Sequence, residues 1–187
     1  RGIMTDFQAT EHNRVVRVPD RGHYDRATIY PIIDEALVCH VAFVQDGRPL
    51  VIPTLHAREG DRLLLHGATT SRLIRHVAAG NAVSVAMTLV DGLVLARSVF
   101  HHSVNYRSVV LFGRGEPAGD DEKMAQLERF TEKLIPGRWA DARQPNAKEL
   151  KATAVVAIPI DLASAKVRTG GPHDDAEDYA LPVWAGV

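Results

Sequence analysis

The feature that most constrains this chain is a succession of short β-rich segments joined by tight turns, with few helices between them. Residues 38–45 are β-branched and apolar and end at Asp46-Gly47, a strong hairpin signal. Residues 50–57 form the returning strand, and Pro53 within it predicts a sheet edge or a break in pairing. Glu59-Gly60-Asp61 turns the chain into the apolar strand 62–66. Residues 82–90 read as another strand, Asp91-Gly92 as a turn, and 93–100 and 106–113 as further strands joined through His101-His102-Ser103. Residues 153–160 and 164–168 are late strands. A parallel sheet would need a crossover helix between most strands. The expected architecture is therefore mainly β, a closed or nearly closed antiparallel barrel with flanking helices. No Gly-x-Gly-x-x-Gly follows a strand, which disfavours a dinucleotide-binding Rossmann fold.

Helical periodicity is confined to three places. One helix opens at Thr28, a candidate cap, with Pro31 in its first turn and Ile29, Ile32, Ile33, Ala36 and Leu37 at helical spacing. A short helix covers 71–79 and stops at Gly80-Asn81. A third, 122–135, carries Met124, Leu127, Phe130, Leu134 and Ile135 on one side and ends at Pro136-Gly137. Residues 1–23 are polar and irregular and read as an N-terminal arm, with one domain over 24–187. The 22 Lys+Arg against 23 Asp+Glu leave a net charge of -1, so no nucleic-acid partner is expected. No apolar run reaches the roughly 20 residues of a membrane helix, and RGIMTDFQAT lacks an apolar signal core. Cys39 is the single cysteine, which removes an intramolecular disulfide and a Cys-based zinc cluster. A cytoplasmic protein that handles a small molecule is the expectation.

Three stretches carry candidate chemistry. In Leu63-Leu-Leu-His66-Gly67-Ala68-Thr69-Thr70-Ser71-Arg72, an apolar strand ends in glycine, passes three hydroxyls and enters a helix. Hydroxyls, helix-start N–H groups and arginine make a phosphate site. Arg72 and Arg75 share a helix side. The alternative is that Ser71 only caps the helix and the arginines are solvated. In 101–113, Asn105 and Arg107 share a strand face with Val109 and Leu111, and Tyr106 and Ser108 share the other. The alternative here is a strand that begins in solvent. Adjacent His101 and His102 point to opposite sides of a strand, so no metal site is expected. In 164–168, Ser164, Lys166 and Arg168 alternate onto one face, either standing over an anionic ring system or guarding an exposed sheet edge. Trp184 either anchors the tail or stacks on a ring. Cys39 packs in an apolar strand, Asp34 and Glu35 do not face each other, and no nucleophile elbow exists. Chemistry would come from a bound cofactor.

In this order the residues resemble the FMN-binding split-barrel proteins related to pyridoxamine 5'-phosphate oxidase, closest to the flavin-nucleotide-binding branch that includes nitroimidazole-resistance reductases. The resemblance spans residues 24–187. It implies an antiparallel split β-barrel and a homodimer holding FMN at the subunit interface. It implies that Pro53, Thr54, Leu55 and His56 run under the isoalloxazine, and that His66, Gly67 and Ala68 line the ribityl chain and phosphate. Ser71 and Arg72 would hold the phosphate, Arg107 and Ser108 would reach the flavin from the neighbouring subunit, and Lys166 and Arg168 would approach the ring. Trp184 joins this cofactor set, and His66 is the candidate catalytic residue. The vitamin B6 oxidases of this family end in a basic motif, whereas this sequence reads Ala180-Leu-Pro-Val-Trp184-Ala-Gly-Val187. The implied function is an FMN-dependent oxidoreductase acting on a small organic molecule. A flavin-storage module and a haem-binding split-barrel protein are the alternatives.

Overall fold

The structure, a computed structural model, describes residues 6–187, so the first five residues of the expected arm lie outside the described residues. The described strands pair throughout in antiparallel fashion and form a six-stranded and a four-stranded sheet with flanking helices. The larger sheet has the order β1-β10-β7-β6-β2-β3 and the smaller β4-β5-β9-β8. In chain order these are β1 (Gly22–His23), β2 (Val38–Gln45), β3 (Arg48–Leu55), β4 (Ala57–Glu59), β5 (Arg62–Ala68), β6 (Ala82–Val94), β7 (Ser103–Arg114), β8 (Glu116–Pro117), β9 (Thr153–Pro159) and β10 (Leu162–Arg168).

Local chemistry explains the turns. Asp46 and Gly47 both adopt positive φ, 51° and 71°, which closes the β2–β3 hairpin with the handedness of twisted strands. β3 pairs only with β2, so Pro53 lies on a sheet edge, as its missing N–H requires. The expected strand 50–57 is two strands: His56 is the corner where the chain leaves the larger sheet for β4 of the smaller one.

The expected turn at Asp91-Gly92 is a correction. β6 continues to Val94 with a bulge between Val90 and Gly92. The Arg107 guanidinium, on the facing β7, holds the Asp91 carboxylate at 2.7 and 2.9 Å, so pairing persists through a dipeptide that often ends it. The strand expected at 93–100 is a second correction: its first two residues belong to β6, which stops at Val94, and the chain reverses beyond it through a 3-10 turn at Val99–His101. There the Asp174 carboxylate accepts from the backbone N–H groups of Arg97 (2.8 Å) and Ser98 (3.1 Å), and the Ala96 N–H donates to His102 Nδ1 at 3.1 Å.

Helix α1 (Arg26–Glu35) starts before Thr28: Asp25 caps it, accepting from the Thr28 N–H at 2.7 Å. Pro31 therefore lies inside the helix rather than in its first turn, while Ile29, Tyr30, Ile32 and Ile33 are buried. Helix α2 (Arg72–Ala78) buries Leu73, Ile74 and Val77. Helix α3 (Lys123–Leu134) matches its sequence expectation, but α4 (Arg138–Asp141) and α5 (Ala147–Ala152) follow where the sequence pattern gave no helix. Asn146 and Glu149 form a reciprocal capping box that starts α5.

The core lies in layers around the smaller sheet. Leu63 and Leu65 of β5 face the main core with Ile29, Ile33, Val41, Val85, Leu111 and Ile158. Leu64, between them, faces the opposite way into a cluster with Phe130 of α3, Val155 and Ala157. The described part of the arm packs on the chain itself: Phe7 is buried, Asn13 Nδ2 donates to the Ala163 carbonyl at 2.9 Å, and β1 extends the sheet beside β10. β10 consequently lies between β1 and β7, which removes the exposed-edge explanation of its Ser164-Lys166-Arg168 stripe.

Candidate functional site

The last residues of β5 build two different environments. Strand alternation places His66 on the same side as Leu64, toward α3. Its ring meets Phe130 edge-on, with centroids 4.3 Å apart. Around them lies a cavity of about 450 Å³, walled by Leu55, Leu127, Phe130, Leu134, Ile135 and Trp139 among others. Neither ring nitrogen of His66 has a hydrogen-bond partner among the described residues, and Nδ1 is buried. Burial pushes the His66 imidazole below its ordinary pKa, which keeps it neutral. Glu132 fixes the wall by accepting from the Gly137 and Trp139 N–H groups at 2.6 and 2.8 Å, so the reversal from α3 into α4 is held by one carboxylate. At the mouth, Glu149 is paired with Arg143, whose guanidinium holds the carboxyl down to about 2, and Arg138 is paired with Asp141.

The other environment is polar and open. After Gly67 and Ala68 the chain turns through Thr69, Thr70 and Ser71 into α2, where the Ser71 N–H donates to the Ala68 carbonyl at 2.8 Å. A Cβ on Gly67 would stand 3.0 Å from Ile74 Cγ1, so glycine lets α2 pack close against β5. The Ser71 hydroxyl makes no capping bond to its own helix. The exposed Arg72 makes no hydrogen bond or ion pair among the described residues, and Arg75 Nε reaches the Thr69 carbonyl at 3.2 Å. Gln45, Thr70, Arg72, Arg75, His76 and Asn81 surround a recess of about 420 Å³. His76 and Asn81 also line an adjoining groove of about 570 Å³ that runs past Phe43, Ser84 and Phe112.

The remaining candidates fall in several places. Pro53 is exposed on the β3 edge, Thr54 is half-buried beside it, and Leu55 reaches the His66 cavity. His56 is turned inward and is 1% exposed, with Nε2 2.8 Å from the Ile33 carbonyl and 3.0 Å from Lys133 Nζ. Arg107 is committed within its own chain, donating to Glu35 at 2.5 and 2.9 Å as well as to Asp91. Those carboxylates raise its pKa further. Ser108 and Lys166 lie under the arm, where Lys166 Nζ donates to the Arg17 carbonyl at 2.7 Å. Arg168 is buried and bonded to Asn105, a structural tie at the strand end. Trp184 is 66% exposed, on a tail held by a two-way backbone bridge between Leu95 and Gly186. The cavity walls from α4 and α5 were missing from the sequence-derived set; the Asn146-x-x-Glu149 capping signature was the available signal for α5.

The sequence matches the family model described as pyridoxamine 5'-phosphate oxidase over residues 25–167. The chain belongs to the pyridoxamine 5'-phosphate oxidase family. Among solved structures, this family member is similar to the flavocytochrome Anf3 from Azotobacter vinelandii, at 42% identity and a TM-score of 0.87, over 95% of this chain and 83% of that one. It is also similar to the FAD and heme binding protein from Mycobacterium smegmatis, at 40% identity and a TM-score of 0.84, over 89% of this chain and 82% of that one. A putative 5-nitroimidazole antibiotic resistance protein from Bacteroides thetaiotaomicron shares the fold at 24% identity and a TM-score of 0.65, over 78% of this chain and 86% of that one. A comparison with curated proteins gave no match. Among the described residues of this family member, no helix is long and apolar enough to cross a membrane.

Proposed function

We propose that this protein is a redox protein that binds a flavin nucleotide at the Ser71-Arg72 turn and haem in the His66 cavity. The observation that carries the reading is the juxtaposition at the end of β5: an unpaired arginine on a hydroxyl-rich turn, and one strand residue earlier than Gly67 a neutral, unpartnered histidine in an apolar cavity. The 42% and 40% identical relatives, a flavocytochrome and a protein that binds FAD and haem, support both halves.

The residues fit a flavin. Thr70 and Ser71 offer hydroxyl donors and Arg72 and Arg75 offer two cations to phosphate oxygens, on a turn whose Gly67 lets α2 pack close against β5. FMN would satisfy the turn alone. The adjoining groove with Phe43, His76 and Phe112 adds room and aromatic surface for an adenosine, so FAD is the flavin we infer. The residues also fit haem: the cavity is within the ~300–1,000 Å³ range of cofactor pockets, and His66 supplies a nitrogen with no competing hydrogen bond. A flavin supplies hydride or electron transfer when bound, and a haem supplies one-electron chemistry. The chain's own residues hold the phosphate, exclude water through Leu55, Phe130, Leu134 and Trp139, and keep His66 unprotonated.

The two sheets would close as a split barrel, and two copies would pair through the apolar surface where Val90, Leu93, Leu95, Trp184 and Val187 are exposed. That face would bring the exposed Trp184 toward the partner's cofactor. The absorption spectrum of the purified protein, followed by mass spectrometry of released ligands, tests the reading. Flavin bands, a Soret band and the mass of FAD are expected. A colourless chain that takes up neither added FAD nor haemin would overturn it.

A further inference from the structure

Lys133 closes the C-terminal turn of α3 against α1 and the β3–β4 corner. Its Nζ lies 3.0 Å from the Ile33 carbonyl and 3.0 Å from His56 Nε2. Both partners are uncharged, because burial pushes the His56 imidazole down to about 4. Among the described residues Lys133 forms no salt bridge, and Asp34, a carboxylate of the same corner, is spent on a bidentate pair with Arg58 at 2.9 and 2.5 Å. The amine is thus held in place without a carboxylate to hold its proton. Lys133 also lines a recess of about 350 Å³ together with Asp34, Ala57, Arg58, Arg129 and Glu132.

Arg129 is one helical turn before Lys133 and shares its face of α3. It donates to Glu59 through Nε alone, at 2.9 Å, which leaves its two terminal nitrogens free to meet an anion. We propose that Lys133 is an acylation site of this protein, modified by small acyl phosphates whose phosphate is met by Arg129. The Nζ lone pair forms a bond to the carbonyl carbon, the carbon–oxygen bond to phosphate breaks, and the amine proton leaves with inorganic phosphate. The products are the lysine amide and hydrogen phosphate, and nothing is oxidised or reduced.

The electrostatics agree with this geometry. Burial, together with the charge of Arg58, lowers the Lys133 amine to about 8, against the opposing pull of the Asp34 carboxylate on α1. Burial pushes the Cys39 thiol up to about 12, so it stays neutral. Arg129 and Glu132 on α3 complete the charged groups around the recess. A desolvated lysine is a free amine, and hence a nucleophile, at a pH where ordinary lysines are protonated.

The 187-residue sequence has five lysines, Lys123, Lys133, Lys148, Lys151 and Lys166, which makes a site-resolved comparison direct. It would be treated with limiting acetyl phosphate at several pH values, and amide occupancy at each lysine read by peptide mass spectrometry. Lys133 is expected to be modified at least ~5-fold faster than Lys148 or Lys151, with a rate that levels off above pH ~8. Equal or slower modification at Lys133 in the folded protein would overturn the proposal. In a parallel Arg129→Gln sample, modification of Lys133 by acetyl phosphate should fall, while modification by uncharged acetic anhydride should not. Unchanged reactivity toward acetyl phosphate would overturn the assignment of Arg129. Loss of preference for Lys133 in urea-unfolded protein is expected, and its persistence there would show that sequence rather than the recess causes it.

Discussion

The recess at Arg72 and the cavity at His66 are fed by the same strand yet are built on opposite principles. The recess is open, and its defining group is a charge left without a partner, which water can solvate until an anion arrives. The cavity is walled by apolar side chains, and its defining group is a polar ring left without a hydrogen bond, which water serves poorly there. The difference follows from β5. Leu63, Leu64 and Leu65 are fully buried and fix the strand, so the face of His66 is determined by alternation, while Gly67 and Ala68 carry the chain out to a turn. One site is held by charge and the other by packing, so each should fail independently of the other.

The largest effect expected from that separation is at His66. His66→Ala should abolish haem retention, seen as loss of the Soret band, and leave flavin binding intact. Loss of both cofactors would mean the two environments are one site. Arg72→Ala should do the converse. Removing a charge-assisted contact costs about 1.5–3 kcal/mol, roughly a ten- to hundredfold weaker flavin Kd by fluorescence titration, with haem uptake unchanged.

A third variant acts on the strand that joins them. Gly67→Ala places a methyl 3.0 Å from Ile74 Cγ1 and should shift α2 by a few tenths of an ångström. Overpacking of this kind costs about 1–3 kcal/mol in denaturant unfolding. It should weaken flavin binding more than haem binding, because α2 carries Arg72 and not the cavity wall.

The effect that vanishes at neutral pH comes last, at the buried His56 corner. Burial lowers the His56 imidazole from 6.5 to about 4 in the folded chain. Below pH ~6.5 the unfolded state therefore binds more protons, and stability falls until about pH 4, where it levels off. The total is on the order of 3 kcal/mol by linkage, and His56→Gln should flatten that part of a stability–pH curve.

The sequence was most informative where one residue's chemistry decides the outcome. Asp46-Gly47 made a hairpin, Pro53 went to a sheet edge, and Pro136-Gly137 closed α3, with Gly137 at a φ of 85°. It misled where a distant residue overrides a local preference. Asp91-Gly92 has the composition of a turn, and only Arg107 on the facing strand keeps it extended. Thr28 is a sound cap in isolation, but Asp25 is a better acceptor three residues earlier. Of the candidate site, the hydroxyl-rich turn into α2 could be read from spacing, while His66 entered only through the family resemblance. The use of Arg168 as a tie to Asn105, and of His56 as a buried corner, depends on contacts between strands far apart in the chain. The α3 wall of the His66 cavity follows from its periodicity, but Arg138, Trp139 and Glu149 come from helices of 4 and 6 residues, too short for periodicity to reveal.

The most direct test is a paired absorption spectrum of Arg72→Ala and His66→Ala proteins, each incubated with FAD and haemin and freed of excess. The account predicts that Arg72→Ala loses flavin absorption and keeps the Soret band, and that His66→Ala does the reverse. Spectra in which both variants retain both cofactors would contradict it.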